Sequence, residues 1–461
     1  MNADWRDRLR EIEKEIFARR PEHAVNPSLE RITALVTLLG DPQRAYPVIH
    51  ITGTNGKTST ARMIEALLRA RGLRTGLFTS PHLAMVGERI SVDGQPLSGE
   101  RFVEAYDEIK PYVDLVDASH EVPLSFFEVL TGMAFAVFAD APVDVCVLEV
   151  GMGGTWDNTN VADGTVAVVT PISIDHARYL GSTVEEIAAD KAGIIKPGAV
   201  AVLAQQPLAA AEVLLRRVAD VGATVAREGV EFGVLSRELA VGGQQLAVRG
   251  LLGDYDDLYL PLFGAHQAGN LACAIAAVEA FARTPDFEGE GQPLDPSIVR
   301  RAVAGMSSPG RLEILRRSPL VIVDAAHNPG GMAASVAALT EAFTFTELVA
   351  ILAVSQDKDV AGILGELEPV ATRLVATANS SARSMDPAEL AEIARGIFGP
   401  ERVSVTSRLD DAIELAVGMA DDADAASGPG SAGVLIAGSV ITAGDARVLL
   451  AAGSGAEGAA S

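Results

Sequence analysis

Short β-type runs, several of them almost continuously apolar, recur along the first half of this chain. Val48 to Thr52, Leu73 to Thr79, Val143 to Val150, Val166 to Ile172 and Ala199 to Ala204 are five of them. Each has the length of a strand, and the last three have the composition of one covered on both faces. Helical patterns separate them, over Ser59 to Arg71 and over residues 124–139. Strands alternating with helices predict a doubly wound, largely parallel α/β sheet. Ahead of it, residues 5–40 read as helical. Leu29, Ile32, Leu35, Val36 and Leu39 recur at helical spacing, and Gly40-Asp41-Pro42 ends the run.

The pattern changes over residues 223–263. Val230 to Val234, Leu239 to Val241, Gln245 to Val248 and Leu258 to Leu262 are short and β-rich, which predicts a small antiparallel annex. A helix is expected at about 266–282, then a polar, Pro/Gly-rich loop at 284–296. A boundary is expected at 307–311, dividing a first domain (1–306) from a second (312–450). The second is another α/β series, with strands at Leu320 to Asp324, Leu348 to Val354, Leu374 to Thr377, Val403 to Val405 and Val434 to Gly438. Residues 451–461 are Gly/Ala/Ser-rich and read as a disordered tail.

Composition narrows the function classes. A net charge of −24 leaves no basic face for nucleic acid. No apolar run approaches the roughly 18 residues of a membrane span, and the charged N-terminus has no signal core. Cys146 and Cys273 sit in apolar contexts and read as buried thiols, which fits a reducing, cytoplasmic setting.

Residues 47–60, Pro-Val-Ile-His-Ile-Thr-Gly-Thr-Asn-Gly-Lys-Thr-Ser-Thr, carry the strongest chemical signal. A strand enters a Gly/Asn loop that opens a helix. Loop N–H groups and the helix N-terminus would face phosphates, Lys57 would reach them as a point charge, and Thr58 could ligate Mg²⁺. The standard G-x-x-x-x-G-K-[ST] form would need glycine at Ile51. Here the glycine is Gly53, which gives the shorter Gly-x-x-Gly-Lys-Thr. ATP use is expected, but not of the GTPase or kinase kind.

Further polar groups sit where apolar runs end, the place ligands occupy in open α/β sheets. Ser80 follows one run, Glu149 closes another, and Asp175-His176 follows a third. With Thr58 they offer oxygen and imidazole donors to one crevice, suited to Mg²⁺ between phosphates. Singly, Ser80 also reads as a helix cap, Glu149 as a paired structural carboxylate and His176 as a loop histidine. The Gly-rich stretch Gly151 to Asn160 reads as a substrate-facing loop or a tight turn. Lys191 reads locally as a solvated helix-end lysine, with perturbed chemistry near the metal crevice as the alternative. Arg311 follows Pro309-Gly310 and suits a phosphate clamp that acts when two domains close. Asp324 could hold a ribose and His327 a phosphate; Asp324 and Asn328 also read as helix caps.

Together these segments closely resemble the folylpolyglutamate synthase/dihydrofolate synthase family of Mur-ligase-like amide ligases. The matching pieces are Gly53 to Thr58, Ser80-Pro81-His82-Leu83 with Glu88-Arg89-Ile90, Ser125 to Glu128, Glu149 to Gly154, Asp175-His176 and Lys191 to Lys196. His266-Gln267 with Asn270, Pro309 to Glu313, Asp324 to Pro329, Asp357-Lys358-Asp359, and Gly438-Ser439 with Gly444 and Arg447 complete them in family order.

The resemblance implies a P-loop-type doubly wound ATPase domain with a small antiparallel annex, followed by a Rossmann-like α/β C-terminal glutamate ligase domain. It implies ATP-dependent ligation of L-glutamate to tetrahydrofolate, and to dihydropteroate, through an acyl phosphate. It implies that Thr54, Asn55, Gly56, Lys57, Thr58, Ser59, Asn270, Arg311, Asp324 and His327 hold ATP. Mg²⁺ would be held by Thr58, Ser80, Glu149, His176 and a CO₂-derived carbamate on Lys191, with Lys57, Lys191 and His176 as the catalytic set. Pro81, His82, Arg89, Leu124, Ser125, Phe126, Phe127, Trp156, Asp157 and Asn158 would contact the pterin substrate, the aromatic rings stacking on a flat heterocycle. Partners are expected to be these small molecules alone, with no nucleic acid or membrane, and the protein a monomer. The chain departs from the usual pattern at Thr155-Trp156-Asp157-Asn158, where the family has Arg-Leu-Asp-Ala, so the balance of folate and dihydropteroate use stays open. A peptidoglycan-type Mur ligase and a non-catalytic ATP-binding module are the rival readings.

Overall fold

The computed structural model describes residues 4–21, 26–284 and 291–457. Two sheets organise it. The first has eight strands: β1 Val48–Thr52, β2 Thr75–Phe78, β3 Ile90–Val92, β4 Gln95–Pro96, β5 Val145–Glu149, β6 Gly164–Val169, β7 Val200–Leu203 and β8 Thr224–Arg227. Their spatial order is β4-β3-β2-β5-β1-β6-β7-β8. β2, β5, β1, β6, β7 and β8 are parallel, while β3 and β4 form an antiparallel edge.

The central strands are apolar throughout because both faces are covered. Ile49, Ile51, Val145 and Val147 pack toward the helices Lys57–Ala70 and Ala265–Phe281. Val48, Cys146 and Leu148 pack the other way, against Phe126–Asp140 and the N-terminal helices. Alternate side chains therefore feed two cores from one strand.

The annex is a three-stranded antiparallel sheet in the order β11-β10-β9, formed by β9 Gly233–Ala240, β10 Gly243–Arg249 and β11 Asp254–Leu260. The two runs expected at 230–234 and 239–241 are not separate strands. β9 spans the gap between them, because an exposed edge strand tolerates the polar Ser236-Arg237-Glu238 centre.

The second sheet has β12 Glu313–Arg317, β13 Leu320–Val323, β14 Glu347–Leu352, β15 Arg373–Ala376, β16 Val403–Val405 and β17 Ala432–Ala437, in the order β12-β13-β17-β14-β15-β16. All pairs are parallel except the β12–β13 hairpin. β12 escapes a hydrophobic reading because it is a charged edge strand, Glu-Ile-Leu-Arg-Arg. The chain crosses between the sheets after the helix Pro296–Ala304 and before β12.

Three expectations are corrected or limited. The N-terminal helical stretch is two helices, Asp4–Phe17 and Glu30–Leu38; Pro21, which has no N–H to donate, lies between them. The tail does not become irregular at Ala451, since the last helix runs Val440–Glu457 through alanines that favour helix. The remainder of that tail and most of the 284–296 loop lie outside the described residues. No helix among the described residues is long and apolar enough to cross a membrane.

Candidate active site

The phosphate loop is shaped by two glycines in conformations that L side chains rarely adopt. Gly53 has φ +144° and Gly56 has φ +88°. A Cβ on Gly53 would lie 1.9 Å from Thr170 Oγ1 and 2.8 Å from the Thr170 carbonyl. A Cβ on Gly56 would lie 2.5 Å from Asn270 Oδ1. The shortened spacing thus has a cause: Gly53 lies tight against the end of β6, and the loop has no room for a longer excursion. Gly53→Ala is expected to weaken nucleotide binding at least about tenfold, because both the φ and the contact are forbidden. Titration with ADP, read by fluorescence or calorimetry, checks this; unchanged affinity would mean that the loop is more plastic than its contacts indicate.

The loop opens the helix Lys57–Ala70, whose free N–H groups face a cleft of about 570 Å³ between the two sheets. Every residue assigned above to the nucleotide lines this cleft: Thr54 to Ser59, Asn270, Arg311, Asp324 and His327. The second domain adds its own helix N-terminus. Asn328 caps Pro329–Ala342 through Gly331 N at 2.7 Å, and Asn55 and Asn328 exchange side-chain hydrogen bonds at 3.3 and 3.1 Å. Asn328 is therefore the helix cap that its sequence allowed, and it also bridges the domains. Asp324 is not a helix cap. Its carboxylate accepts from Leu312 N (2.9 Å), Ala326 N (2.8 Å) and Ser335 Oγ (2.7 Å), which pins the strand end at the cleft wall.

Lys57 Nζ donates to the carbonyls of Gly53 (3.2 Å) and Thr54 (3.1 Å), folding over its own loop. Lys191 Nζ approaches Gly53 O from the other side at 2.8 Å. Lys191 is not solvated; it is 4% exposed. Burial and the neighbouring Lys57 ammonium lower its pKa to about 7. The bland reading of this lysine is overturned by position, because the helix Val184–Lys191 ends beneath the loop.

Thr58 Oγ1 donates to Glu149 Oε1 at 2.7 Å, and Ser80 N donates to Glu149 Oε2 at 3.2 Å. Glu149 is almost fully buried, and burial raises its pKa against the pull of Lys57 and its hydrogen bonds. Ser80, Glu149, Thr58 and His176 line the cleft together. His176 sits at φ +51°, and burial lowers its pKa to about 3, so the ring is neutral with a lone pair to offer. Among the described residues, no group of three or more His, Cys, Asp or Glu side chains is arranged to hold a metal. Mg²⁺ does not need one: it accepts hydroxyl and carboxylate oxygens and keeps waters and phosphate oxygens as further ligands. The donor set fits that ion.

The expected substrate residues divide. Ser125, Phe127, Trp156, Asp157 and Asn158 line a separate small cavity with Arg20 and Arg31. Pro81 and His82 border a recess beside the main cleft. Leu124 is fully buried, and Phe126 is sandwiched by Phe17 (centroids 5.4 Å apart) and the Arg89 guanidinium (5.0 Å). Arg89 Nε donates to His82 Nδ1 at 2.9 Å. Arg89 thus ties Phe126 to the loop bearing His82, and the buried Phe126 ring offers no open face.

Asp175, which the sequence offers only as the neighbour of His176, is the polar hub of the domain junction. Its carboxylate takes Lys358 Nζ at 2.6 Å, Asn328 Nδ2 at 3.1 Å and His327 Nε2 at 3.4 Å. Burial opposes its ionisation, but His327, His176 and Lys358 outweigh that and hold it well below the usual carboxylate range. Lys358 stood in the sequence as Asp357-Lys358-Asp359, with no local cue that it would reach across 183 positions. His266, Gln267, Gln205 and Glu228 also line the cleft, and sequence assigned them no role.

A Mur ligase middle-domain model matches residues 51–278, and a Mur ligase glutamate ligase domain model matches residues 310–440. The chain is 50% identical to a Mycobacterium tuberculosis dihydrofolate synthase/folylpolyglutamate synthase across 96% of this chain and 93% of that protein. It is 36% identical to a folylpolyglutamate synthase of Lacticaseibacillus casei across 75% and 80%. A crystal structure of the M. tuberculosis folylpolyglutamate synthase with ADP and AMPPCP superposes with a TM-score of 0.91 at 50% identity, covering 97% of this chain and 99% of that one. An FPGS–AMPPCP–folate complex superposes with a TM-score of 0.82 at 29% identity, covering 96% and 99%. Two α/β domains around one phosphate loop, matched along almost their full length, place this chain in the folylpolyglutamate synthase/dihydrofolate synthase family of Mur-type ligases.

Proposed function

We propose that this protein ligates L-glutamate to folate-type carboxylates, tetrahydrofolate and dihydropteroate, at the expense of ATP. The observation that carries the reading is a phosphate loop and a second-domain helix N-terminus facing one cleft, with Asp175 and Lys358 joining the domains across it. A carboxylate is a poor electrophile at neutral pH. Transfer of the γ-phosphoryl group of ATP to it forms an acyl phosphate and releases ADP. The amine of glutamate then attacks the acyl carbon, phosphate leaves, and the nitrogen loses a proton as the amide forms. Water must be kept from the acyl phosphate, which suits a cleft closed by two domains.

Lys57, the loop N–H groups and Arg311 hold the phosphates and meet charge that grows on them in the transition state. Thr58, Ser80, Glu149 and His176 would hold Mg²⁺, which when bound offsets repulsion between ATP and the acceptor carboxylate. A buried Lys191 amine, whose ammonium form burial and Lys57 disfavour, is suited to take up CO₂ as a carbamate and so present an anion beside these donors. Two free, buried cysteines fit a reducing, cytoplasmic setting, and the protein acts as a monomer on small molecules.

The test is ADP release measured with dihydropteroate and with tetrahydrofolate, each with and without glutamate. Release that needs an acceptor and glutamate together is expected with both acceptors. ADP release independent of either would point to a plain ATPase, and turnover of tetrahydrofolate alone would remove the dihydropteroate activity.

A further inference from the structure

Behind the phosphate loop lies a second recess, about 20 Å³, lined by Thr58, Arg62, His82, Glu88 and Arg311 among others. That volume holds one small group and no ring. Arg62 stands one helical turn after Thr58, on the same face of Lys57–Ala70. It is partly buried, and among the described residues its guanidinium makes no hydrogen bond or ion pair. The side chain of Arg311 has none either.

Carboxylates near Arg62 are already taken. Glu149 is bound by Thr58 and Ser80 N, and Glu88 by the backbone N–H groups of Leu83, Ala84 and Met85. Glu65 is bound by Arg69 and Thr75. Two guanidiniums, unpaired among the described residues, therefore share a recess sized for one anionic group. One wall is the Thr58 end of the phosphate site; the other is the Pro81–Glu88 loop.

We propose that Arg62, next to the phosphate-holding Arg311, binds the non-reacting carboxylate of the acceptor's terminal glutamate. This rests on the folate-ligase reading. A folyl acceptor ends in a residue with two carboxylates: one is activated at the nucleotide, and the other must be neutralised within a few bonds of it. Dihydropteroate has only the reacting carboxylate, so Arg62 separates the two acceptor classes. A charge-assisted guanidinium–carboxylate contact is specific in both geometry and charge.

The experiment compares kcat/KM for tetrahydrofolate with that for an analogue whose terminal glutamate is replaced by 4-aminobutyrate, which keeps the side-chain carboxylate and lacks the other. The wild type is expected to prefer the glutamate form by roughly 10- to 100-fold. In Arg62→Met that preference falls to within about threefold, and Arg62→Lys restores part of it. An undiminished preference in Arg62→Met overturns the proposal. So does an equal loss on both acceptors, or a change confined to the KM of ATP or of free glutamate. Thermal unfolding of the variants separates misfolding from lost recognition: a variant that unfolds early yet keeps the preference also counts against it. Failure of the wild type to release ADP with any folyl acceptor would instead overturn the folate-ligase reading itself.

Discussion

Lys57→Ala is expected to cut ligation by about 10²- to 10³-fold or more in kcat, the range seen when one positioned donor to a developing oxyanion is lost. Two effects combine. The ammonium that would meet the transferring phosphoryl group is gone. The loop also loses the bonds from Lys57 Nζ to Gly53 O and Thr54 O that hold its shape before nucleotide arrives. Glu149 meanwhile loses the cation that most favours its ionised form. ADP release with saturating acceptor and glutamate measures the effect, and near-normal turnover would remove Lys57 from the site. Lys358 does not substitute for it, since it is committed to Asp175 at 2.6 Å.

Lys191→Ala is expected to be nearly inactive and to recover part of its activity with acetate or another short carboxylic acid. The wild type is expected to gain activity with added bicarbonate as pH rises through about 7, where the amine becomes neutral and able to add CO₂. The direction follows from burial and from Lys57, which both disfavour the ammonium. The same shift has a stability consequence. Between about 7 and the ordinary lysine value of 10.5, the unfolded chain holds a proton that the fold has shed, so stability rises with pH across that window. Full activity of Lys191→Ala without added acid would dismiss the carbamate. Loss of activity with no rescue would leave Lys191 as a prop of the Gly53 carbonyl at 2.8 Å.

Much of the molecule was legible along the chain because its signals are local. A strand buried on both faces must be apolar throughout, so the central strands announce themselves. A loop that approaches phosphates needs glycine and a following helix, and Gly53 to Thr58 show both. Edge strands are the opposite case. β4, β9 and β12 are edges that carry charge or polar residues because no strand pairs with one side, and a hydrophobic pattern passes over them. Phe126 shows a different limit. An aromatic residue in a substrate-facing stretch looks the same in sequence whether its face is open or sandwiched, as here between Phe17 and Arg89.

By itself, the sequence determined that this is a two-part α/β protein with a shortened phosphate loop and polar groups at its strand ends, because periodicity and glycine requirements act over a few residues. Tertiary structure decided which of those groups meet. Only packing buries Lys191 beneath Gly53 and turns a helix-end lysine into a near-neutral amine. Only the docking of the second domain brings Asn328, His327 and Lys358 to Asp175, and places Arg62 and Arg311 in one recess, unpaired among the described residues. Charge pairing and desolvation depend on distance in space, and residues separated by a hundred or more positions carry no local mark of it.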